Sequence, residues 1–348
     1  MTNYEALRAN PELVLDINDA VFEEATAAVD EHLGRIGAQA FIDAAENPET
    51  FEAMQYAVVG GGKDRSDKAA ILMPAPYANG VWPHMIARAS AISHMAAEAG
   101  LRDDTGNIVP VVLTSSPGMK SSFGLDKQER SAVRTGNFDP IAEKHLGLFD
   151  ELDLDIAGYV GASQATALAA PIINRLPGSR SGEGVPTILA EPPHGKKRIV
   201  LPVGRQLVNF ALEGMTFKGQ LADEGVEVID EIFASGKASP DFEKGIIKQA
   251  KENLAIVRGF ARGNLSRDLV KLALTGSKTT VIHGDESTIA RREDMVSAVD
   301  EAIDHIENRY GKLGVRADLG RIMLVGTNHS LTDRLGRYVS LTAANLTR

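Results

Sequence analysis

The 348-residue sequence has no cysteine, a single tryptophan and only 5% aromatic residues. Without cysteine there are no disulfides, no thiolate metal sites and no thiol nucleophile. Positive charge is also in short supply, with 37 Lys and Arg against 47 Asp and Glu and a net charge of −10. A phosphate backbone needs a basic face, so nucleic acid is not an expected partner, and the short run Lys196-Lys197-Arg198 reads as a solvated loop. No stretch approaches the roughly 18 uninterrupted apolar residues of a membrane span. The first 34 residues mix acids throughout and lack a basic start followed by an apolar core. A cytoplasmic protein with no membrane partner is therefore expected.

Cofactor signatures are missing as well. In "VVGGGKDRSDK" Ala57 stands where a phosphate loop needs its first glycine, and Asp64 follows Lys63. No G-x-G-x-x-G fits, and the glycines read as a hairpin turn. The eight histidines are dispersed without an H-E-x-x-H; His84 and His94, ten apart, would lie on different sides of a helix. Neither a metal nor an organic cofactor is expected.

What is present is an alternation. Short apolar runs at 54–62, 69–76, 107–118, 155–161, 185–193, 278–286 and 321–329 read as strands, with helices at 81–100, 140–152, from Ser163 onward and at 292–310. Continuous apolar strands alternating with helices predict an α/β fold with a mostly parallel, doubly wound sheet. Residues 18–50 carry Val21, Phe22, Ala25, Val29 and Leu33 at helical spacing, so 1–50 is expected to be an N-terminal helical extension. Residues 192–277 read as mainly helical and suit a cap inserted into a core made of 51–191 and 278–348.

"IAGYVGASQATALAA" (156–170) places Ser163 between a strand and a helix, in Gly161-Ala162-Ser163-Gln164-Ala165. This is the nucleophile-elbow pattern G-x-S-x-G with alanine in the last place. Small neighbours are needed because the turn is tight, and the helix starting there offers backbone N–H groups to a developing oxyanion. An ordinary strand-to-helix serine is the plainer alternative.

From Met54 to the end, five segments in order give the chain a family likeness. "AILMPAPYANGVWPHM", "SSPGMKSS", "FDELDLDIAGYVGASQATALAA", "TTVIHGDESTIARRED" and "RIMLVGTNHSLTDRLGRYVSLTAANL" resemble, in turn, the oxyanion-loop, D-x-P-G-x-G-x-S-loop, elbow, acid-strand and terminal histidine-loop segments of the α/β-hydrolase superfamily. The resemblance implies Ser163 as nucleophile and His329 as general base. It implies the N–H groups of Gln164 and Ala75 as an oxyanion hole, Tyr77 being the other nearby donor because Pro74 and Pro76 have no N–H. Tyr77 and Trp82 would line the substrate pocket. The acid departs from the family pattern: His283-Gly284-Asp285-Glu286-Ser287 puts serine where H-G-x-x-D has its aspartate. In some members, haloalkane dehalogenases among them, the acid follows the preceding strand, where Glu191 stands; Glu191 is preferred and Asp285 is the alternative. A serine at 163 is unlike the aspartate of dehalogenases and epoxide hydrolases and implies acyl-enzyme chemistry on an ester-type small molecule. The rival expectation is a catalytically inactive protein of this fold with a binding or assembly role. A homo-oligomer is compatible with either.

Overall fold

The computed structural model describes residues 12–16, 21–76, 80–117, 123–176, 184–193, 259, 262–287, 291–327 and 335–347. Its elements in chain order are β1 (Glu12–Asp16), α1 (Val21–Ile36), α2 (Ala38–Glu46), β2 (Glu49–Phe51), β3 (Met54–Val59), β4 (Ala69–Pro74), α3 (Pro83–Glu98), β5 (Val111–Thr114), α4 (Lys127–Arg134), α5 (Asp139–Glu151), β6 (Asp155–Ala162), a 3-10 turn (Ser163–Leu168), α6 (Ala169–Ile173), β7 (Thr187–Ala190), α7 (Leu265–Leu274), β8 (Thr279–Gly284), α8 (Arg292–Tyr310), β9 (Leu319–Val325) and α9 (Leu335–Leu346).

Nine strands form one sheet in the order β1-β9-β8-β7-β6-β4-β5-β3-β2. Only β3 runs against the rest, pairing antiparallel with both β5 and β2. The inner strands are apolar on both faces because helices cover both. Alternation along each strand then divides the core: Ile71, Met73, Val111, Leu113, Val160 and Ile188 face one helical layer, and Ala70, Leu72, Val112, Tyr159 and Leu189 face the other. The first layer draws on α1, α2, α3 and α9, the second on α4 to α8.

Proline and glycine punctuate the helices as their backbone limits require. Pro83 opens α3, where a missing N–H costs no intrahelical bond, and Gly100 ends it at φ +102°. Asp126 caps α4 in a reciprocal box with Glu129, each side chain accepting from the other's N–H at 2.8 Å. No helix among the described residues is long and apolar enough to cross a membrane.

The structure corrects three expectations. Residues 12–16 and 21–50 are not a separate helical extension, since β1 pairs in parallel with β9 as an edge strand and α1 and α2 belong to the core. The glycines after β3 do not close a hairpin, because β5 lies between β3 and β4 in the sheet. The expected cap boundary at 277 falls too late: α7, capped by Asn264, buries Leu265, Leu269 and Leu272 in the second core layer. Residues 194–258, the bulk of the expected cap, lie outside the described residues.

Candidate active site

Parallel strands that share a register deliver their next residues side by side. Ala162 of β6 pairs with Ala190 of β7, so Ser163 and Glu191 emerge together from adjacent strand ends, in a sheet whose strands lie about 4.8 Å apart. Both have left-handed backbones, Ser163 at φ +50° and Glu191 at φ +52°. A non-glycine residue in this region costs on the order of 1 kcal/mol or more and persists where its surroundings over-determine it.

At Ser163 the surroundings are visible. The chain turns from β6 directly into a 3-10 turn and reaches α-helical geometry only at Ala169, later than the elbow pattern predicts. Thr166 Oγ1 donates to the Ser163 carbonyl at 2.6 Å, and the buried Tyr159 hydroxyl donates to the Ala165 carbonyl at 2.5 Å. A Cβ on Gly161 would sit 2.8 Å from the Tyr159 ring and 3.0 Å from the Ala165 backbone, so this position excludes any side chain. Ser163 and Gln164 are half-buried. Gln164 lies in the first turn, where a helix leaves N–H groups without an intrahelical acceptor.

At Glu191 the backbone N–H donates to Ile282 O at 2.8 Å, continuing the ladder to β8. The carboxylate is buried and doubly held: Gly284 N–H donates to Oε1 at 2.5 Å and Ser287 Oγ donates to Oε2 at 2.5 Å. The serine in the usual acid position thus touches the carboxylate supplied by the neighbouring strand. Beside it, buried His283 is held below its ordinary pKa, chiefly by loss of solvent, with the Glu191 charge opposing the shift.

Asp285 faces elsewhere. Its Oδ1 accepts from Gly326 N at 2.8 Å and Thr327 N at 3.3 Å, while Glu286 N donates to Thr327 O at 3.0 Å. These bonds tie the loop after β9 to the loop after β8. His329, two residues farther on, lies outside the described residues, as does Tyr77.

The oxyanion expectation needs correcting at Ala75. Its N–H donates to Thr114 O at 2.9 Å, extending the β4–β5 ladder, so it is not directed at a bound carbonyl. The loop behind it is anchored by Ser116, whose Oγ donates to Pro76 O at 2.9 Å. Trp82 stands half-buried before α3, its ring 5.7 Å from that of His84. Among the described residues no three His, Asp or Glu side chains gather as a metal-ligand set.

Two contributors escaped the sequence reading. The spacing of Ser287 was legible, but its bond to Glu191 was not. Tyr159 looked like one more apolar strand residue.

No protein family and no curated protein matches the sequence. Solved structures do align over most of the chain. A bromoperoxidase from Bacillus anthracis shares 16% identity at a TM-score of 0.48, covering 82% of this chain and 92% of its own. A carboxylesterase from the thaumarchaeon Nitrososphaera gargenis shares 11% at 0.46, with coverage of 82% and 92%. A meta-cleavage product hydrolase from Pseudomonas fluorescens IP01 shares 15% at 0.45, with 83% and 93%. Classification rests on the sheet itself: strands β2 to β9 in the order β2-β3-β5-β4-β6-β7-β8-β9, reversed only at β3, with a strained serine after β6, give this chain the α/β-hydrolase fold.

Proposed function

We propose that the protein is a serine hydrolase that cleaves ester-type small molecules through an acyl-enzyme on Ser163. The observation that carries this reading is the pair of left-handed residues, Ser163 and Glu191, side by side at adjacent parallel strand ends. His329 accepts the proton of Ser163 Oγ as the oxygen attacks the substrate carbonyl, and returns it to the leaving alkoxide. Glu191 orients the imidazole and stabilises its cation. Water then attacks the acyl-enzyme by the same base catalysis and releases the acid. The Gln164 N–H is one oxyanion donor, and Tyr77 N–H takes the place that Ala75 cannot fill.

The rival, an inactive protein of the same fold with a binding or assembly role, draws on one observation. Prolines at 74 and 76 and an Ala75 N–H bonded to Thr114 O leave residues 74–76 without an N–H to offer an oxyanion. Labelling with a fluorophosphonate separates the two readings. The hydrolase is expected to label stoichiometrically and Ser163→Ala not at all. An intact protein that takes up no label would leave the inactive reading standing, and a Ser163→Ala variant that labels equally would overturn Ser163 as the nucleophile.

A further inference from the structure

We infer that Ser287 is a positioning residue for the Glu191 carboxylate, and that positions 191 and 287 address one carboxylate site from two different loops. The inference rests on the reading of Glu191 as the acid that serves His329. Glu191 Oε2 and Ser287 Oγ are 2.5 Å apart, and both side chains are buried. A carboxylate carried at 287 would therefore reach the region that the Glu191 carboxylate occupies now.

The surrounding bonds explain why the arrangement holds together. A buried carboxylate is costly unless donors compensate for lost water. Gly284 N–H at the end of β8 and Ser287 Oγ–H in the loop after it each donate to one carboxylate oxygen. At its root the loop packs closely on the segment after β9, since a Cβ on Gly284 would lie 2.2 Å from the Thr327 carbonyl oxygen. Asp285 meanwhile holds the Gly326 and Thr327 amides. The loop after β8 thus performs two jobs, with Ser287 orienting the carboxylate of β7 and Asp285 tethering the segment that leads to His329. Aspartate at 287 would compete with Glu191 for one site, whereas serine complements it by donating a hydrogen bond.

The test uses the full-length protein and the kinetics of inactivation by a fluorophosphonate, resolved into kinact and KI. Glu191→Gln is expected to lower kinact by about 10³-fold or more, in line with loss of a triad acid. Ser287→Ala is expected to lower kinact by roughly 10- to 100-fold, the worth of a hydrogen bond to a charged group, with KI within about twofold. Ser287→Thr, which keeps the hydroxyl, should recover most of that loss. The decisive variant is the double replacement Glu191→Gln with Ser287→Asp, expected to regain at least about tenfold in kinact over Glu191→Gln alone. If Glu191→Gln inactivates normally, the acid assignment itself is wrong. If Glu191→Gln is slow but Ser287→Ala matches wild type, or Ser287→Thr rescues nothing, the positioning role is refuted while the acid survives. A folded double variant as slow as Glu191→Gln refutes the shared site. Should the double variant not fold, the kinact-against-KI split of Ser287→Ala and its rescue by threonine still decide the positioning role.

Discussion

A single serine in a left-handed backbone requires support, and Tyr159 provides part of it. Its ring lies beneath Gly161 and its hydroxyl holds the Ala165 carbonyl, inside the apolar layer under the elbow. Burial also keeps this phenol neutral, its pKa raised well above the usual value. Tyr159→Phe preserves the ring but leaves a buried carbonyl without that donor, at a cost of about 1–3 kcal/mol. The variant should unfold at lower urea concentration and react more slowly with a fluorophosphonate at similar KI. Unchanged labelling would separate Tyr159 from the elbow. A second residue-level comparison concerns the acids. Asp285→Asn should slow labelling less than Glu191→Gln does, because an amide oxygen still accepts from Gly326 and Thr327; the reverse order would return the acid to Asp285. Ser163 was legible because strand, small residues and helix surround it in sequence. The carboxylate beside it was harder to read, because which neighbouring strand's side chain lies next to Ser163 depends on sheet geometry, and sequence order does not encode that distance.

At the scale of elements, α1 is joined to α3 by a contact the sequence pattern missed. His32 and His94 stack in parallel, ring centroids 4.1 Å apart, and His32 Nε2 shares a hydrogen bond with Ser90 Oγ at 3.0 Å. The rings border a cleft of about 500 Å³ together with Arg35 and the Gly60–Gly62 turn. Burial first, then the neighbouring His94 and Arg35, bring the His32 pKa down to about 4 from 6.5, against the bond from Ser90. His94 is also lowered, mainly by burial, with Arg35 adding to the shift and Glu98 and Glu31 opposing it. The unfolded chain therefore binds protons that the folded chain refuses. This contribution to stability is present above about pH 6.5 and lost progressively as pH falls toward about 4. Buried His145, on the opposite face of the sheet and also lowered to about 4 by burial, acts in the same direction. Urea midpoints measured from pH 7.5 to 4.5 should fall with acid, and His94→Gln should flatten that fall in part while His145 and His283 maintain the remainder. An unaltered pH slope in the variant would remove the stacked pair from the explanation. Helical periodicity placed Phe22, Val29 and Leu33 correctly on the buried stripe of α1. It could not find the histidine pair, because half-buried polar residues carry no periodic signal and their partner is 62 positions away.

For the whole molecule, the largest revision is that the described residues among the first fifty, 12–16 and 21–50, are part of the core of the fold. Their acid-rich helices looked separable because the strand pattern characteristic of the fold begins only near Met54. In the structure β1 extends the sheet beyond β9, while Leu15, Phe22, Val29, Leu33, Phe41 and Ile42 are buried in the layer that also holds Met85, Ile92, Tyr338 and Val339. The fit is close enough that a Cβ on Gly336 of α9 would lie 2.9 Å from the Thr26 Cα of α1. At about 1.5–3 kcal/mol for each fully buried large apolar side chain, these six contribute on the order of 10 kcal/mol. That is comparable to the whole stability of a typical domain, about 5–15 kcal/mol. Removing residues 1–48 would also expose the apolar surfaces of α3 and α9 that they cover. The truncated chain is therefore expected to be insoluble, or to keep helical circular dichroism without a cooperative urea transition, even though every residue proposed for catalysis remains. A soluble truncated protein with a sharp transition and wild-type labelling would restore the segment to a dispensable extension. The expected result would make it a structural part of the fold, because β1 and the helices after it complete a sheet edge and a core layer that the segments from residue 54 onward leave open.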